Sequence, residues 1–144
     1  MESKISKRLE EIVTALPLKE GLRILEIGCG TGVVAREIAK RLKNVYLLGL
    51  DRSSKAIEQS VFSSRAEIST GKLHFKKAAI EEFDFDGDQL FDFAFAIRVG
   101  ALDGRHPEIE QKALSNIAKV LKKNGKLFID GGSPIQEINI RNYK

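Results

Sequence analysis

A chain of 144 residues with 42% hydrophobic and 31% charged residues has the length and composition for one globular core. It has no apolar run near the ~20 residues that span a bilayer. The formal charge of +4 comes from Lys and Arg interspersed with acids, so nucleic acid is not indicated as a partner; one cysteine excludes an internal disulfide, and two histidines far apart, His74 and His106, give no metal-site spacing. The opening "MESKISKRLEEI" is charged and helical without the apolar centre of a signal peptide, and the expected location is cytoplasmic.

Ile5, Leu9, Ile12, Val13 and Leu16 share one stripe at helical spacing and predict an amphipathic lead-in helix over Lys4 to Leu16, ended by Pro17. Arg23 to Ile27 reads as a first strand, Thr31 to Lys43 as a helix and Val45 to Leu50 as a second strand. Ser53 is placed as the N-cap of a helix over Ser54 to Ile68, stopped at Gly71, with strand three in "KLHFKKA". One helical turn at Ile80 to Phe83 leads into an acidic loop, Asp84 to Gln89. The near-continuous apolar run Phe91 to Ile97 is the pattern of a central parallel strand covered on both faces. After Pro107, the residues Ile109, Ala113, Ile117, Val120 and Leu121 mark the inward face of a helix expected to stop at Asn124-Gly125, and Lys126 to Asp130 forms strand five.

Strands alternating with helices through short links specify an α/β fold, doubly wound about a mainly parallel sheet of about five strands, in one domain over residues 1–144. Ligands of such sheets bind at the carboxyl ends of the strands, here Gly28, Asp51, Ala78 to Ile80, Arg98 to Leu102, and Asp130.

The first of these ends carries the strongest motif. Ile24-Leu25-Glu26-Ile27-Gly28-Cys29-Gly30-Thr31-Gly32 is a strand breaking into alternating glycines before a helix, a turn in which backbone can approach a ligand closely. Asp51 lies 23 residues beyond Gly28, close to the ~20 expected for a carboxylate accepting from ribose hydroxyls. A dinucleotide fingerprint would need glycine where Val33 stands, which disfavours a nicotinamide cofactor. Instead "LEIGCGTG", with Glu26 two residues before the first glycine, resembles the first motif of the class I S-adenosylmethionine-dependent methyltransferases. The resemblance runs to about Asp130 and implies a Rossmann-like sheet and methyl transfer from S-adenosylmethionine, leaving S-adenosylhomocysteine.

In that resemblance Glu26 and the Gly28, Cys29, Gly30 and Gly32 loop approach the methionine end and ribose of the cofactor, and Asp51 holds the ribose hydroxyls. Ile97, at the end of strand four, is assigned to the same cofactor site. Arg52 is either a guanidinium stacked on adenine or a surface charge at a helix start. The family often has an acid after strand three that accepts from the adenine amino group; here Ala79 takes its place, leaving backbone at Ala79 and Ile80 and the Ile80 side chain to meet the ring. Cys29 fills a small-residue slot with no nearby histidine to activate a thiol.

The segment after strand four borders the methyl group and the acceptor in the family. It is not the N-P-P-Y type used on exocyclic amines of bases, and it concentrates Arg98, Asp103, Arg105 and His106. These side chains either bind an anionic acceptor and supply a base, or are a turn aspartate, surface charges and a helix cap ahead of Pro107. Arg98, Asp103 and His106 are the catalytic candidates. A sulfonium is already a good leaving group, so alignment suffices unless the nucleophile must lose a proton.

The usual fold continues past strand five with a helix and an antiparallel strand pair, for which the tail over residues 131–144 is too short, although "QEINIRN" alternates as one short strand. Strand five is therefore expected to be an edge, covered by the tail or by a second copy in a homodimer. Two functions stay open: a methyltransferase acting on a small molecule, and a non-catalytic cofactor-binding or partner-binding domain on the same scaffold.

Overall fold

The protein is described by a computed structural model covering residues 5–85, 87, 89–102 and 104–144. Six strands, Leu22–Ile27 (β1), Val45–Asp51 (β2), Leu73–Lys77 (β3), Phe91–Ala96 (β4), Leu121–Asp130 (β5) and Ile135–Ile138 (β6), form one sheet in the order β3-β2-β1-β4-β5-β6. All neighbours are parallel except β5 and β6, which run antiparallel. The architecture is the expected Rossmann-like α/β sheet, with one strand more than the five read from the sequence.

Successive strand residues point to opposite faces, and the core divides accordingly. Ile24 of β1 and Leu47 of β2 pack with Val34, Ala35 and Ile38 of the helix Val33–Arg41 (α2) and with Val13 of the lead-in helix Lys7–Ala15 (α1). Leu25, Ile27, Leu48 and Leu50 face the other way, onto Ala113, Leu114 and Ile117 of the helix Pro107–Val120 (α5) and onto Ile80 and Phe83. Phe91, Phe95, Leu25 and Leu47 are among the largest fully buried side chains, so the central strands are covered on both faces as their apolar runs required.

Several boundaries differ for physical reasons. The helix expected over Ser54 to Ile68 is two helices, Ser54–Ser63 (α3) and Arg65–Ser69 (α4), broken at Ser64, whose buried hydroxyl accepts from Arg36 Nη1 at 3.0 Å. Ser53 does cap α3, accepting from Ala56 N–H at 3.2 Å. Asn124-Gly125 does not end α5. That helix stops at Val120, and β5 begins at once with Leu121 paired to Phe91; the register shifts between Phe91 and Phe93, and Gly125 is buried where a Cβ would lie 2.9 Å from Leu121 Cβ and 3.2 Å from the Asp92 carbonyl. The glycine thus serves a close approach at a β-irregularity rather than a helix terminus.

The tail covers the edge of strand five. β6 pairs with Leu127 to Asp130, and Lys144 Nζ donates to the carbonyls of Lys122, Lys123 and Gly125, so of the two covers expected for strand five the structure shows the tail. Asp86 and Asp88 of the acidic loop lie outside the described residues. Among the described residues no helix is long and apolar enough to cross a membrane.

Candidate cofactor and acceptor site

The glycine turn hangs from the ends of β1 and β2. Cys29 N–H donates to the Leu50 carbonyl at 2.8 Å, which continues the β1–β2 ladder past its last pair. Gly32, the residue before α2, sits at φ 85, and a Cβ there would come within 3.3 Å of Phe75 Cζ and of Ser60 Oγ. Only a residue without a side chain meets both demands.

Asp51 closes β2 with both oxygens engaged: Oδ2 accepts from Gly30 N–H and Oδ1 from Ser53 N–H, each at 2.9 Å. The carboxylate is thereby fixed in orientation across from the glycine turn, and each oxygen keeps a further lone pair. Glu26 is different. It is only 2% exposed, and its Oε1 has no hydrogen-bond partner. Burial, with a smaller contribution from the negative charge of Asp51, pushes its carboxyl up to about 8.

Sequence reasoning missed the props beneath the turn. Ser60, fully buried on α3, donates to the Gly30 carbonyl at 2.8 Å, and Arg36 Nη1 donates to the Thr31 carbonyl at 2.8 Å as well as to Ser64. The available signal was a polar residue at an inward position of an amphipathic helix: Ser60 and Ser64 follow Ala56 and Ile57 at helical spacing.

A cleft of about 290 Å³ opens at the carboxyl end of the sheet and gathers Gly28, Asp51, Arg52, Ala79, Ile80, Arg98 and His106 from the expected set. It also takes in Glu81, Val99, Gly100, Ala101, Arg105 and Ile109. Glu26, Cys29, Gly30, Gly32 and Ile97 do not line it. Glu26 follows Leu22 and Ile24 on the α2 face, and Ile97 packs against the core on that face. Cys29 is buried, with Sγ 3.1 Å from the Cβ position of Gly49, and burial pushes its thiol up to about 12, which makes it an inert packing group. Asp103 lies outside the described residues.

At the adenine end expected from the sequence, the Ala79 carbonyl accepts from Glu82 N–H at 3.0 Å, and the Ile80 carbonyl from Asn116 Nδ2 at 2.9 Å. Arg52 reaches Glu81 at 3.5 Å and is otherwise largely exposed. Arg98 follows β4 in a left-handed conformation, φ 57, with its N–H donated to Asp130 Oδ1 at 3.0 Å and its carbonyl accepting from Arg105 Nη2 at 3.2 Å. His106 stands before α5, its ring 2.8 Å from the Cβ position of Gly100 and its Nδ1 3.5 Å from Glu108. A larger groove of about 940 Å³ between α1 and Gly131–Pro134 shares no residue with the glycine turn or with this cleft.

A glycine turn and an oriented acid stand at the ends of adjacent parallel strands of an α/β sheet, the place where such sheets bind their ligands. Residues 18–139 match the family described as "Methyltransferase domain", and the chain belongs to that family. It is 32% identical to an O-methyltransferase of Aspergillus nomiae over 98% of this chain and 62% of the relative, and 29% identical to a sterol 24-C-methyltransferase of Gibberella zeae over 84% and 30%. Its fold matches that of a Haemonchus contortus phosphoethanolamine N-methyltransferase in complex with S-adenosyl-L-methionine, with a TM-score of 0.70, 25% identity, and coverage of 85% of this chain and 27% of the other. The chain therefore spans less than two thirds of each of these relatives, whose names put the methyl group on oxygen, carbon and nitrogen in turn.

Proposed function

We propose that the protein is an S-adenosylmethionine-dependent methyltransferase acting on a small molecule. The observation that carries this reading is Glu26, a buried carboxyl with an orphaned oxygen beside a glycine turn and near a second acid. A buried acid without a donor is costly, and a ligand ammonium in reach of it would complete the site. Asp51, already oriented by Gly30 and Ser53, offers its remaining lone pairs to a vicinal diol in the cleft that Gly28, Ala79 and Ile80 also line. The bound cofactor supplies an electrophilic methyl group on a positively charged sulfur.

The cleft holds ligand by position rather than by an elaborate proton relay. Arg98 and His106 line it, and His106 is the residue available to accept a proton from an acceptor that must lose one. Acceptors that are already nucleophilic require alignment alone.

Asp51→Ala tests the cofactor site. It should weaken S-adenosylmethionine binding by about 1.5–3 kcal/mol, the range for hydrogen bonds to a charged group. Wild-type affinity in a folded variant would remove Asp51 from the site and with it the nucleoside reading of the cleft.

A further inference from the structure

Four basic side chains and two acids line the cleft, and among the described residues most are committed. Asp51 accepts from two backbone amides, Glu81 faces Arg52, His106 faces Glu108, and Arg105 donates to the Arg98 carbonyl. The exception is the Arg98 guanidinium, which has no hydrogen-bond acceptor or ion-pair partner among the described residues. Its backbone, by contrast, is held on both sides, by Asp130 at the N–H and by Arg105 at the carbonyl, in a left-handed conformation that a side-chain-bearing residue adopts at a cost. Asp130 is itself anchored by Arg8 of α1 at 2.7 Å. Arg98 is exposed and lines the cleft, so a strained backbone held on both sides presents there a guanidinium with no partner among the described residues.

We infer that Arg98 is the anchor for an anionic group on the methyl acceptor, a small organic carboxylate or phosphate ester, and that Asp130 is the residue that positions it. This rests on the cofactor reading above. The cofactor's own carboxylate shares a carbon with its ammonium, and the orphaned acid that suits the ammonium, Glu26, lies on the α2 face of the sheet. The cleft containing Arg98 is walled by Ile27, Ile80 and Ala101, which belong to the core on the α5 face. The nucleoside proposed to lie along Asp51, Gly28 and Ala79 enters this cleft while its amino-acid end is drawn to Glu26 on the other face, so an anion at Arg98 is placed beside the cofactor as a second ligand. The planar guanidinium fork matches a carboxylate or phosphate through two parallel N–H donors, which a lysine would not reproduce.

The test uses the full chain saturated with S-adenosylhomocysteine and titrated with benzoate, inorganic phosphate and the neutral analogue benzamide, followed by amide and Arg Nε–H chemical shifts. Saturable shifts at Arg98 and Gly100 with benzoate or phosphate, and none with benzamide, are expected; whichever anion binds tighter identifies the acceptor as carboxylate or phosphate. Arg98→Gly keeps the left-handed backbone and deletes the guanidinium. It should weaken the anion at least tenfold, leave S-adenosylhomocysteine affinity within twofold, and not lower the melting temperature, whereas Arg98→Lys should recover only part of the anion affinity. Equal binding of benzamide, or unaltered anion binding in Arg98→Gly, would overturn the inference. So would a tenfold loss of S-adenosylhomocysteine affinity in that variant, which would place Arg98 on the cofactor. Failure of the wild type to bind S-adenosylhomocysteine at all would be a failure of the cofactor reading, and this inference would fall with it.

Discussion

Glu26 is a carboxyl group placed where water does not reach, and its titration gives the proposed cofactor site a signature that needs no acceptor. Its proton is held more tightly in the folded protein, to about 8, than at the ordinary value of 4.5. The sign follows: the folded state binds more protons than the unfolded one between these values, so this group's contribution to stability is fully present below 4.5 and is lost as pH rises through about 8. Glu26→Gln should therefore gain stability relative to wild type progressively from pH 5 to pH 8 in denaturant unfolding; parallel profiles would mean that Glu26 is ionised or solvated. Binding a ligand ammonium should draw the carboxyl back toward ionisation and release a proton near neutral pH. Calorimetry in buffers of different ionisation enthalpy reads that release, and it should vanish in Glu26→Gln. Arg98 gives a second expectation at this scale. Because glycine relieves left-handed strain of about 1 kcal/mol, Arg98→Gly should match or exceed wild-type stability in thermal unfolding; a clear loss would make the guanidinium a structural group.

At the scale of elements, the glycine turn depends on helices that are distant in sequence. Ser60 of α3 holds the Gly30 carbonyl from within the core, so Ser60→Ala should cost about 1–3 kcal/mol in unfolding free energy, since it leaves that carbonyl short of a donor. It should also weaken S-adenosylmethionine binding without touching the ligand. Gly32→Ala should be more damaging, because φ 85 and the crowding by Phe75 and Ser60 act together; loss of binding with a lowered melting temperature is expected. The turn and its acids were legible because apolar runs ending in glycines or an acid are local signals. The α5–β5 junction was not. Asn124-Gly125 after a helical pattern has the form of a helix stop, yet pairing of Leu121 with Phe91 and of the Lys122 ammonium with Asp92 claims those residues for the sheet. No property of residues 120–125 alone announces a strand partner thirty positions earlier. The break at Ser64 was hidden likewise, since the Arg36 side chain that occupies it comes from α2.

For the whole molecule, the sheet order sets the division of labour. The β1, β2 and β4 ends meet at the carboxyl edge, bringing Glu26, Asp51 and Arg98 to one end of a sheet whose two faces are sealed by separate cores. Length, the alternation of strands and helices, and the glycine spacing made that architecture readable. The bond from Asp130 to Arg98, which joins the ends of β5 and β4, was not readable, because each residue alone looks like an ordinary strand-end charge. The central claim is that this edge binds S-adenosylmethionine. Isothermal titration of the intact chain with S-adenosylmethionine and S-adenosylhomocysteine, with NAD as control, tests it most directly: micromolar binding of the first two and none of NAD is expected. No heat from either, or equal affinity for NAD, would contradict the assignment of Glu26, Asp51 and the glycine turn.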